Sequence, residues 1–511
     1  MTRSTYYSTY ALWFAATLYS AKRINAQVDE PYMDEIFHVP QAQAYCRGEW
    51  SHWDGAITTP PGLYLVPAAL AALKRQFPFA LDVDPCSLSN LRLSNLVLVF
   101  ALPFLYTSIL DALQASRRPL STSYVDKTDE SSPRDSKRDP SAGNDWEGLA
   151  IAMMPTVAWF GWLYYTDLGS IVAVLVSFRL ALGRSYGLSS FSGLISLLFR
   201  QTNIVWIAFV ASFAAVTEVK RSRPGAEVVD PSLARARLAD VVKTPISLVA
   251  SALRRPSSLV SVLRAYLPVF AVAVAFIRWN GGIVLGDKTN HVATVHLPQL
   301  CYFVAFVTIF ASPALVSPRS IRRAISGLGG TPLRLCGSAI ALLGMCWTIK
   351  EFTIAHPFLL ADNRHYAFYV WRRIVNVHPL ARYALAVAYL VGARLIWQGL
   401  VEANTMSLST LVVLTVATVA VLVPTPLIEP RYFLTPYLLV RLFLSPLPRT
   451  SATRRRTRLL IEAALGVLVQ ACSVYLFLER SFEWRFDVGP DGRGVDGRDA
   501  RELGRKQRFM W

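Results

Sequence analysis

Charged residues are scarce in this chain, and their scarcity excludes most soluble folds. Only 17% of the 511 residues are Asp, Glu, Lys or Arg, whereas 53% are hydrophobic. The hydrophobic residues fall into many runs of about 20 residues, the length that crosses the hydrocarbon core of a bilayer. The composition therefore predicts a polytopic membrane protein, and the length of its runs favours an all-α fold.

Nothing in the sequence suggests a metal centre or a bound cofactor. The six cysteines include no CxxC pair and no zinc-type spacing. Asp82 and Asp84 form a DxD triplet, but three residues recur by chance and the soluble nucleotide-binding domain that this motif serves is missing. Only Cys46 and Cys86 share one predicted loop, where two free thiols fit at least as well as a disulfide. We therefore expect a metal-independent protein without a cofactor.

A cleavable signal peptide and an internal repeat are also missing. The first 24 residues carry only Arg3 before their apolar run, and Lys22 and Arg23 stand where a cleavage site needs small residues. The first segment is therefore predicted to be an uncleaved membrane anchor. The lack of repeated halves disfavours a transporter built on two-fold symmetry.

The net charge of +18 does not point to nucleic acid, because Lys and Arg lie mainly between the apolar runs. In that position they set the orientation of a membrane protein, and cytosolic loops carry more of them. The runs number about thirteen, and the charge bias places the first long loop, residues 25–90, in the lumen. On the cytosolic side lie residues 115–147, predicted to be disordered, and residues 218–258, a basic loop expected against anionic headgroups. The tail, residues 479–511, is lumenal by parity, but its mixed charges leave its side open.

The loop after the first membrane segment carries the strongest chemical signal, an adjacent acidic pair. If residues 32–45 are helical, Asp34, His38 and Gln41 share one face, while Glu35 points about 100° away. One carboxylate can then face a reaction while its neighbour orients the backbone or a partner. We assign Asp34 as the catalytic base and Glu35 as the second catalytic candidate. The alternative is that an acidic pair after Pro31 only suits the first turn of a surface helix.

Aromatic and hydrogen-bonding residues around this pair suit a sugar ligand. The candidates for binding an acceptor sugar are His38, Gln41, Trp53 and Asp54. Asp167 follows Tyr164, Tyr165 and Thr166 on the same side of the membrane by parity. It is either a second acid at the site or the cap of a tight turn.

Basic residues in three later segments are candidates for holding the phosphate of a donor. They are Lys288, His291, Arg364, His365 and Arg431. Arg364 and His365 are embedded in polar residues away from a helix end, which favours an anion site over a headgroup anchor. Arg431 follows Glu429 and is alternatively half of a structural ion pair.

Several stretches between residue 31 and Trp511 together closely resemble one enzyme family, the endoplasmic-reticulum alpha-1,2-glucosyltransferases that use dolichyl phosphate glucose. These enzymes add the last glucose to the lipid-linked oligosaccharide. The stretches are YMDEIFHVPQAQAYC, WDGAITTPPGLYLV, YYTDLGS, RQTNIVW, GDKTNHVATVHLPQL, HPFLLADNRHY, EPRYFLTPY and the terminal QRFMW. The resemblance implies a multispanning GT-C-type bundle with short lumenal amphipathic helices, formed as a single domain over residues 1–511. It also implies a catalytic acid in the first lumenal loop, which Asp34 matches.

The same resemblance implies the substrates and the compartment. The donor is dolichyl phosphate glucose, and the acceptor is the diglucosylated dolichyl-diphosphate oligosaccharide. The active site then faces the lumen, and transfer from a beta-linked donor to an alpha-linked product is a single inverting displacement. The alternatives are another lumenal dolichyl-phosphate-sugar transferase, a polytopic transporter or a non-catalytic membrane scaffold. A transporter is expected to carry ionisable residues along its helix interiors, whereas here they cluster in loops on one side.

Overall fold

A computed structural model describes residues 3–77, 83–116, 142–222, 228–288, 292–444, 452–484 and 504–511. Across these ranges the chain is mainly helical, with one short antiparallel strand pair, β1 (Phe482–Glu483) and β2 (Lys506–Gln507). Most of the predicted cytosolic loop 115–147 lies outside the described residues. So do Asp82, His291 and the larger part of the tail.

The helices are, in chain order, α1 (Arg3–Gln27), α2 (Glu35–Arg47), α3 (Gly62–Gln76), α4 (Leu88–Ala115), α5 (Ala142–Ala152), α6 (Pro155–Trp162), α7 (Asp167–Leu182), α8 (Tyr186–Phe199), α9 (Asn203–Arg221), α10 (Asp240–Arg254), α11 (Ser257–Asn280), α12 (Gln299–Phe310), α13 (Ser312–Leu315), α14 (Pro318–Gly329), α15 (Pro332–Phe352), α16 (Pro357–Ala361), α17 (Tyr366–Val370), α18 (Ala381–Ala403), α19 (Leu408–Leu422), α20 (Leu434–Leu444) and α21 (Ala452–Glu479). A π-helical turn, Trp371–Val375, follows α17, and a 3-10 turn, Pro430–Phe433, precedes α20.

The prediction of an all-α polytopic membrane protein is confirmed. Within the described ranges six helices are long and apolar enough to cross a bilayer: α4, α9, α11, α15, α18 and α21. The pair α6 and α7 adds a seventh crossing if its two halves, bent by 120°, form one span. The predicted count of about thirteen is not confirmed, because several apolar runs form short helices such as α8, α12 and α19.

The helix α4 lies at the centre of the bundle, where it packs against α5, α6 and α7. Its inner face is fully buried and includes Val99, Leu102 and Tyr106. A side chain at Gly148 of α5 would collide with the carbonyl oxygen of Pro103, so the two backbones touch there. Helices in membranes associate through such close van der Waals packing, because lipid offers no hydrophobic driving force between them.

Three interruptions of the helices deliver polar residues to one end of the bundle. Residues 163–166 separate α6 from α7, and residues 200–202 separate α8 from α9. The third interruption, residues 423–433, separates α19 from α20 and contains the 3-10 turn. The break at residues 200–203 was predicted from its four polar residues, and the structure confirms it. Backbone exposed at a break inside a membrane protein needs hydrogen-bonding partners, and Asn95 supplies two by donating to the Leu163 and Tyr165 carbonyls at 2.8 Å.

Helices occupy much of the described part of the predicted basic loop, residues 218–258. The helix α9 continues to Arg221, and α10 occupies much of the remainder. One face of α10 is apolar and exposed, including Val242, Ile246 and Leu253. An exposed apolar face on a short helix is typical of a helix that lies in the headgroup layer of a membrane.

Candidate active site

The candidate active site begins where the first loop turns into α2. Met33 has a φ of +55°, a left-handed conformation that residues other than glycine rarely adopt. Such strain persists where surrounding structure holds it, often at functional sites. Asp34 follows directly and occupies the N-cap position of α2. Its backbone N–H donates to the Tyr165 hydroxyl at 3.3 Å, which ties the start of α2 to the break between α6 and α7.

Asp34 forms an ion pair with a residue almost 400 positions away. Arg431 Nη1 lies 2.6 Å from Asp34 Oδ2, and Arg431 Nε is bonded to Glu429. The Arg431 guanidinium also lies over the rings of Tyr165 and Tyr432, at 5.8 and 5.6 Å from their centroids. The Asp34 side chain remains 33% exposed. Asp34 Oδ1 accepts no hydrogen bond from any residue that the structure describes.

Arg431 keeps Asp34 ionised. Burial works to raise the pKa of Asp34 and is the largest single influence, but the neighbouring side chains, foremost Arg431 through its charge and hydrogen bond, together lower the pKa below its ordinary value. At neutral pH Asp34 is therefore a carboxylate with one unoccupied oxygen. A carboxylate in that state can accept a proton, which is the requirement for a general base.

We expect the Arg431→Gln variant to need a higher pH for activity. Removing the guanidinium leaves burial as the dominant influence, so the pKa of Asp34 rises and the carboxyl becomes protonated at a higher pH. The acid limb of the pH profile of kcat/KM should therefore move upward by about one pH unit or more. The midpoint of that limb is the measured quantity, whatever the maximal rate.

The matched control is Arg47→Gln, because Arg47 pairs with Glu49 on the surface of the same loop at 2.7 Å. The control should keep the midpoint of the unmodified protein. An Arg431→Gln profile with an unchanged midpoint would show that Asp34 is not the group that titrates.

His38 lies beside Asp34 and is neutral. Burial is the main cause that lowers the pKa of His38 to about 4, and the nearby Asp34 carboxylate opposes it only in part. His38 Nδ1 is 2.7 Å from the Tyr64 hydroxyl. Because burial raises the pKa of Tyr64, that hydroxyl stays protonated and can donate to Nδ1. The proton of the neutral imidazole is then on Nε2.

Glu35 occupies a different environment from its neighbour. It is fully buried and paired with Arg92, at 2.9 Å to Oε1 and 2.6 Å to Oε2. Its two oxygens also accept the backbone N–H groups of Tyr164 at 2.7 Å and Tyr32 at 3.0 Å. With four hydrogen bonds and no exposed surface, this carboxylate has no direction left for a substrate. The geometry therefore does not support Glu35 as a catalytic group, and it identifies Arg92 as a partner that sequence reasoning missed.

Two of the predicted sugar ligands hold the loop instead. Gln41 donates to the His52 carbonyl at 2.8 Å and accepts the Asp54 N–H at 2.9 Å. Asp54 Oδ1 accepts the Ala56 N–H at 2.9 Å. Gln41 is completely buried, so the structure does not support a contact between its side chain and a sugar. Helical periodicity predicted which residues share a helix face with Gln41. It did not predict that the loop at residues 52–54 forms hydrogen bonds with both ends of the Gln41 amide.

A disulfide joins α2 to the segment before α4. Cys46 and Cys86 are bonded, with their Cα atoms 6.5 Å apart. The sequence left this pairing open. The disulfide links the two ends of the segment 46–86 within the first loop.

Arg364 and His365 lie beside a segment from the far end of the chain. Arg364 donates from Nε and Nη2 to the two carboxylate oxygens of Asp362, at 2.9 and 2.8 Å. Its Nη1 donates to the Gln507 side-chain oxygen at 3.0 Å. Its guanidinium also stacks over Trp484, 4.5 Å from the ring centroid. His365 Nδ1 is 3.3 Å from the Trp511 backbone oxygen. Asp362, Gln507 and Trp484 thus hold the Arg364 side chain, and the His365 ring lies against the last residue of the described chain.

Residues 504–511 hold the 362–366 segment against the entrance of the first loop. Met510 N–H donates to the Arg364 carbonyl at 2.8 Å, and Tyr366 N–H donates to the Met510 carbonyl at 2.9 Å. Arg508 exchanges two hydrogen bonds with the Tyr32 hydroxyl, each of 2.8 Å. A cleft of about 190 Å³ is lined jointly by residues 27–33, Arg364 and residues 505–508. These contacts place the described end of the tail on the same side as the first loop.

The second acidic candidate, Asp167, is also paired. Its Oδ1 lies 2.8 Å from Arg200 Nη2, and the Arg200 guanidinium lies 5.7 Å from the centroid of the Tyr432 ring. Lys288 lies apart from this group, with its amine 2.5 Å from the Asn280 carbonyl at the end of α11. His291 falls outside the described residues. The structure thus brings together Asp34, His38, Asp167 and Arg431, with Arg364 and His365 on the adjoining segment.

An apolar groove of about 660 Å³ runs between α8 and α11. Its walls include Phe191, Leu198, Val272 and Phe276. At its polar end lie Trp53, another predicted sugar ligand, and Gln201, which donates to the Thr58 carbonyl at 2.7 Å. Across the part of the chain that the structure describes, no cluster of three His, Cys, Asp or Glu side chains could hold a metal ion.

Comparison with known proteins places this site in a family. The model of the DIE2/ALG10 family matches residues 28–442. A Rattus norvegicus protein is 32% identical over 494 residues, which cover 94% of this chain and 93% of that protein. An Arabidopsis thaliana protein is 33% identical, covering 91% of this chain and 95% of that protein. Both carry the name "Dol-P-Glc:Glc(2)Man(9)GlcNAc(2)-PP-Dol alpha-1,2-glucosyltransferase". No solved structure matches the chain.

Proposed function

The chain belongs to the DIE2/ALG10 family, and from this membership and its site we propose that it is an alpha-1,2-glucosyltransferase. It transfers glucose from dolichyl phosphate glucose to the 2-hydroxyl of the terminal glucose of the diglucosylated dolichyl-diphosphate oligosaccharide. The observation that carries the proposal is Asp34, an ionised carboxylate with one unoccupied oxygen among residues from distant parts of the chain.

The proposed location is the endoplasmic-reticulum membrane, with the active site in the lumen. Two observations support it. The Lys and Arg residues are concentrated in the loops on the opposite side of the membrane, which are then cytosolic. The first loop also contains the disulfide between Cys46 and Cys86, and disulfides persist in oxidising compartments such as this lumen.

In the proposed reaction Asp34 Oδ1 takes the proton of the acceptor 2-hydroxyl as its oxygen attacks C1 of the donor glucose. The bond between C1 and the phosphate oxygen breaks in the same step, and dolichyl phosphate leaves with the electron pair. The beta-linked donor thereby gives an alpha-linked product. General-base catalysis of this kind contributes about 10² to 10⁴ in rate.

An arginine and a histidine on the adjoining segment can contact the departing phosphate. Arg364 and His365 are the candidates, because the 504–511 segment positions both of them next to the residues that lead into Asp34. Fixed positive groups stabilise developing negative charge without reorganisation during the reaction. Arg431 is better suited to keep Asp34 ionised, since its guanidinium is paired directly with the Asp34 carboxylate. The displacement proposed here requires no metal ion.

The groove between α8 and α11 offers a polyprenyl chain lateral entry from the bilayer. Its wall is almost entirely apolar, and its end at Gln201 adjoins Arg200. A lipid chain lying in the groove would place its polar head at the lumenal breaks of the helices. Both substrates are lipids, so access from the membrane explains why the catalytic loop stands on a multispanning scaffold.

The test is a transfer assay with purified protein. We expect dolichyl phosphate glucose to convert the diglucosylated lipid-linked oligosaccharide to the triglucosylated form, measured by mass spectrometry of the released glycans. Dolichyl phosphate mannose should give no product, and an acceptor whose terminal glucose lacks the 2-hydroxyl should not react. Transfer of mannose would instead indicate a related enzyme with another donor. If no triglucosylated product forms with the glucose donor, the proposed function is contradicted.

A further inference from the structure

The pair formed by Asp167 and Arg200 has hydrogen-bonding atoms that it does not use. Asp167 is 2% exposed, and its Oδ1 accepts from Arg200 Nη2 at 2.8 Å. Its other oxygen, Oδ2, is buried without a partner among the described residues, and so is Arg200 Nε. Buried polar atoms are nearly always hydrogen-bonded, because an unpaired one loses its water without compensation. An unpaired carboxylate oxygen and an unpaired N–H in one ion pair therefore leave hydrogen-bonding capacity that a polar ligand can use.

The pair stands between the apolar groove and Asp34. Arg200 and Arg431 both lie against Tyr432, at 5.7 and 5.6 Å from its ring centroid, and Arg431 binds Asp34. Arg200 is also followed in the chain by Gln201, which lines the groove. A donor lipid in that groove would carry its sugar past Arg200 toward the catalytic carboxylate.

We propose that Asp167 Oδ2 and Arg200 Nε bind two neighbouring hydroxyl groups of the donor glucose. One hydroxyl donates to the carboxylate oxygen, and the other accepts from the N–H. A sugar diol offers both roles at adjacent carbons, whereas a phosphate offers only acceptors and would be repelled by the carboxylate. The inference rests on the proposed function and identifies Asp167 and Arg200 as residues that position the transferred sugar.

The competing explanation is that the pair only joins two helix breaks. Asp167 begins α7, and Arg200 lies between α8 and α9, so the ion pair connects both interruptions. A purely structural pair predicts that its variants lose stability and leave sugar recognition unchanged. The two explanations therefore differ in donor discrimination and not in overall activity.

The experiment compares dolichyl phosphate glucose with its 2-, 3-, 4- and 6-deoxyglucosyl analogues. For the unmodified protein we expect kcat/KM to fall by about 10²-fold or more for the deoxy donors that lack a bound hydroxyl, because they leave polar site atoms unpaired. The variants are Arg200→Lys, which retains the positive charge but has no Nε, and Asp167→Asn, whose amide nitrogen cannot accept. Each should lower kcat/KM for the glucose donor and abolish the penalty for one of the same deoxy donors.

The matched control is Arg184→Gln. Arg184 pairs with Glu218 at 2.7 Å and joins α7 to α9 at the opposite end of α7. This control should retain the full penalty for every deoxy donor. Arg200→Lys and Asp167→Asn proteins that keep the penalty but melt at a lower temperature would overturn the inference in favour of a structural pair. Failure of the unmodified protein to use the glucose donor would overturn the proposed function itself, and the inference with it.

Discussion

Asp34→Asn is expected to lower the rate of glucose transfer by about 10² to 10⁴ while leaving the fold intact. The amide has the shape of the carboxylate but cannot take the proton of the attacking hydroxyl. Arg431 keeps its pairing with Glu429 in the variant, so no charge is left alone. The measurement is conversion of the diglucosylated to the triglucosylated lipid-linked oligosaccharide by purified protein. Thermal unfolding in detergent reports separately that the variant is folded.

The control for this substitution is Asp84→Asn, which changes an acid of the same first loop whose Oδ1 accepts only a local N–H, from Cys86 at 3.0 Å. It should transfer glucose at the rate of the unmodified protein. Near-normal turnover by Asp34→Asn would show that Asp34 is not the base. If the protein were a non-catalytic scaffold, the substitution would change nothing, because neither the unmodified protein nor any variant would transfer glucose.

Glu35→Ala is expected to have the opposite effect, a loss of fold. Removing one partner of a buried ion pair leaves an uncompensated charge and destabilises by about 3–5 kcal/mol. Here the residue left behind is Arg92, which also donates to the Val28 carbonyl at 2.7 Å and to Asn25 at 2.9 Å. The Tyr164 and Tyr32 N–H groups would lose their acceptor as well. The measurement is the thermal unfolding temperature together with the fraction of monodisperse protein in detergent.

A double substitution, Glu35→Leu with Arg92→Met, separates the charge effect from packing. Replacing both members of a buried pair with apolar residues is often close to neutral, so the double variant should recover part of the lost stability. Glu49→Ala, which breaks the exposed pair with Arg47, should leave the unfolding temperature unchanged. A Glu35→Gln protein that is fully stable and inactive would show instead that Glu35 is the base.

Much of the architecture could be predicted because hydrophobicity and charge act locally. The interruption at residues 200–203 follows from four consecutive polar residues that mid-bilayer placement would penalise. Helical periodicity predicted that Asp34 and His38 share one face and that Glu35 points elsewhere. The residues 35–47 indeed form one helix with Asp34 at its cap. The predicted number of membrane crossings is not confirmed, because length alone does not distinguish a short apolar run that crosses the bilayer from half of a bent pair such as α6 and α7.

The partners of the polar residues could not be predicted in the same way. Nothing near Gln41 in the chain indicates that its side-chain amide forms hydrogen bonds with the 52–54 loop through both its nitrogen and its oxygen. The terminal QRFMW stretch carries a family resemblance but no local signal that Arg508 and Met510 join the first loop to the 362–366 segment. The polar residues around Arg200 predict a helix break, but they do not predict the pairing of Arg200 with Asp167.

By itself the sequence determined the class of protein, and it predicted which side of the membrane carries the motifs and which loop bears the catalytic acid. These properties depend on the length of apolar segments, on helical periodicity and on the distribution of charge along the chain. Each of these is set by neighbouring residues and by their interaction with water or lipid. Only the tertiary structure decided which carboxylate is available for chemistry. Glu35 meets Arg92 across 57 positions of the chain and Asp34 meets Arg431 across 397, and ion pairs over such separations exist only once the helices have packed.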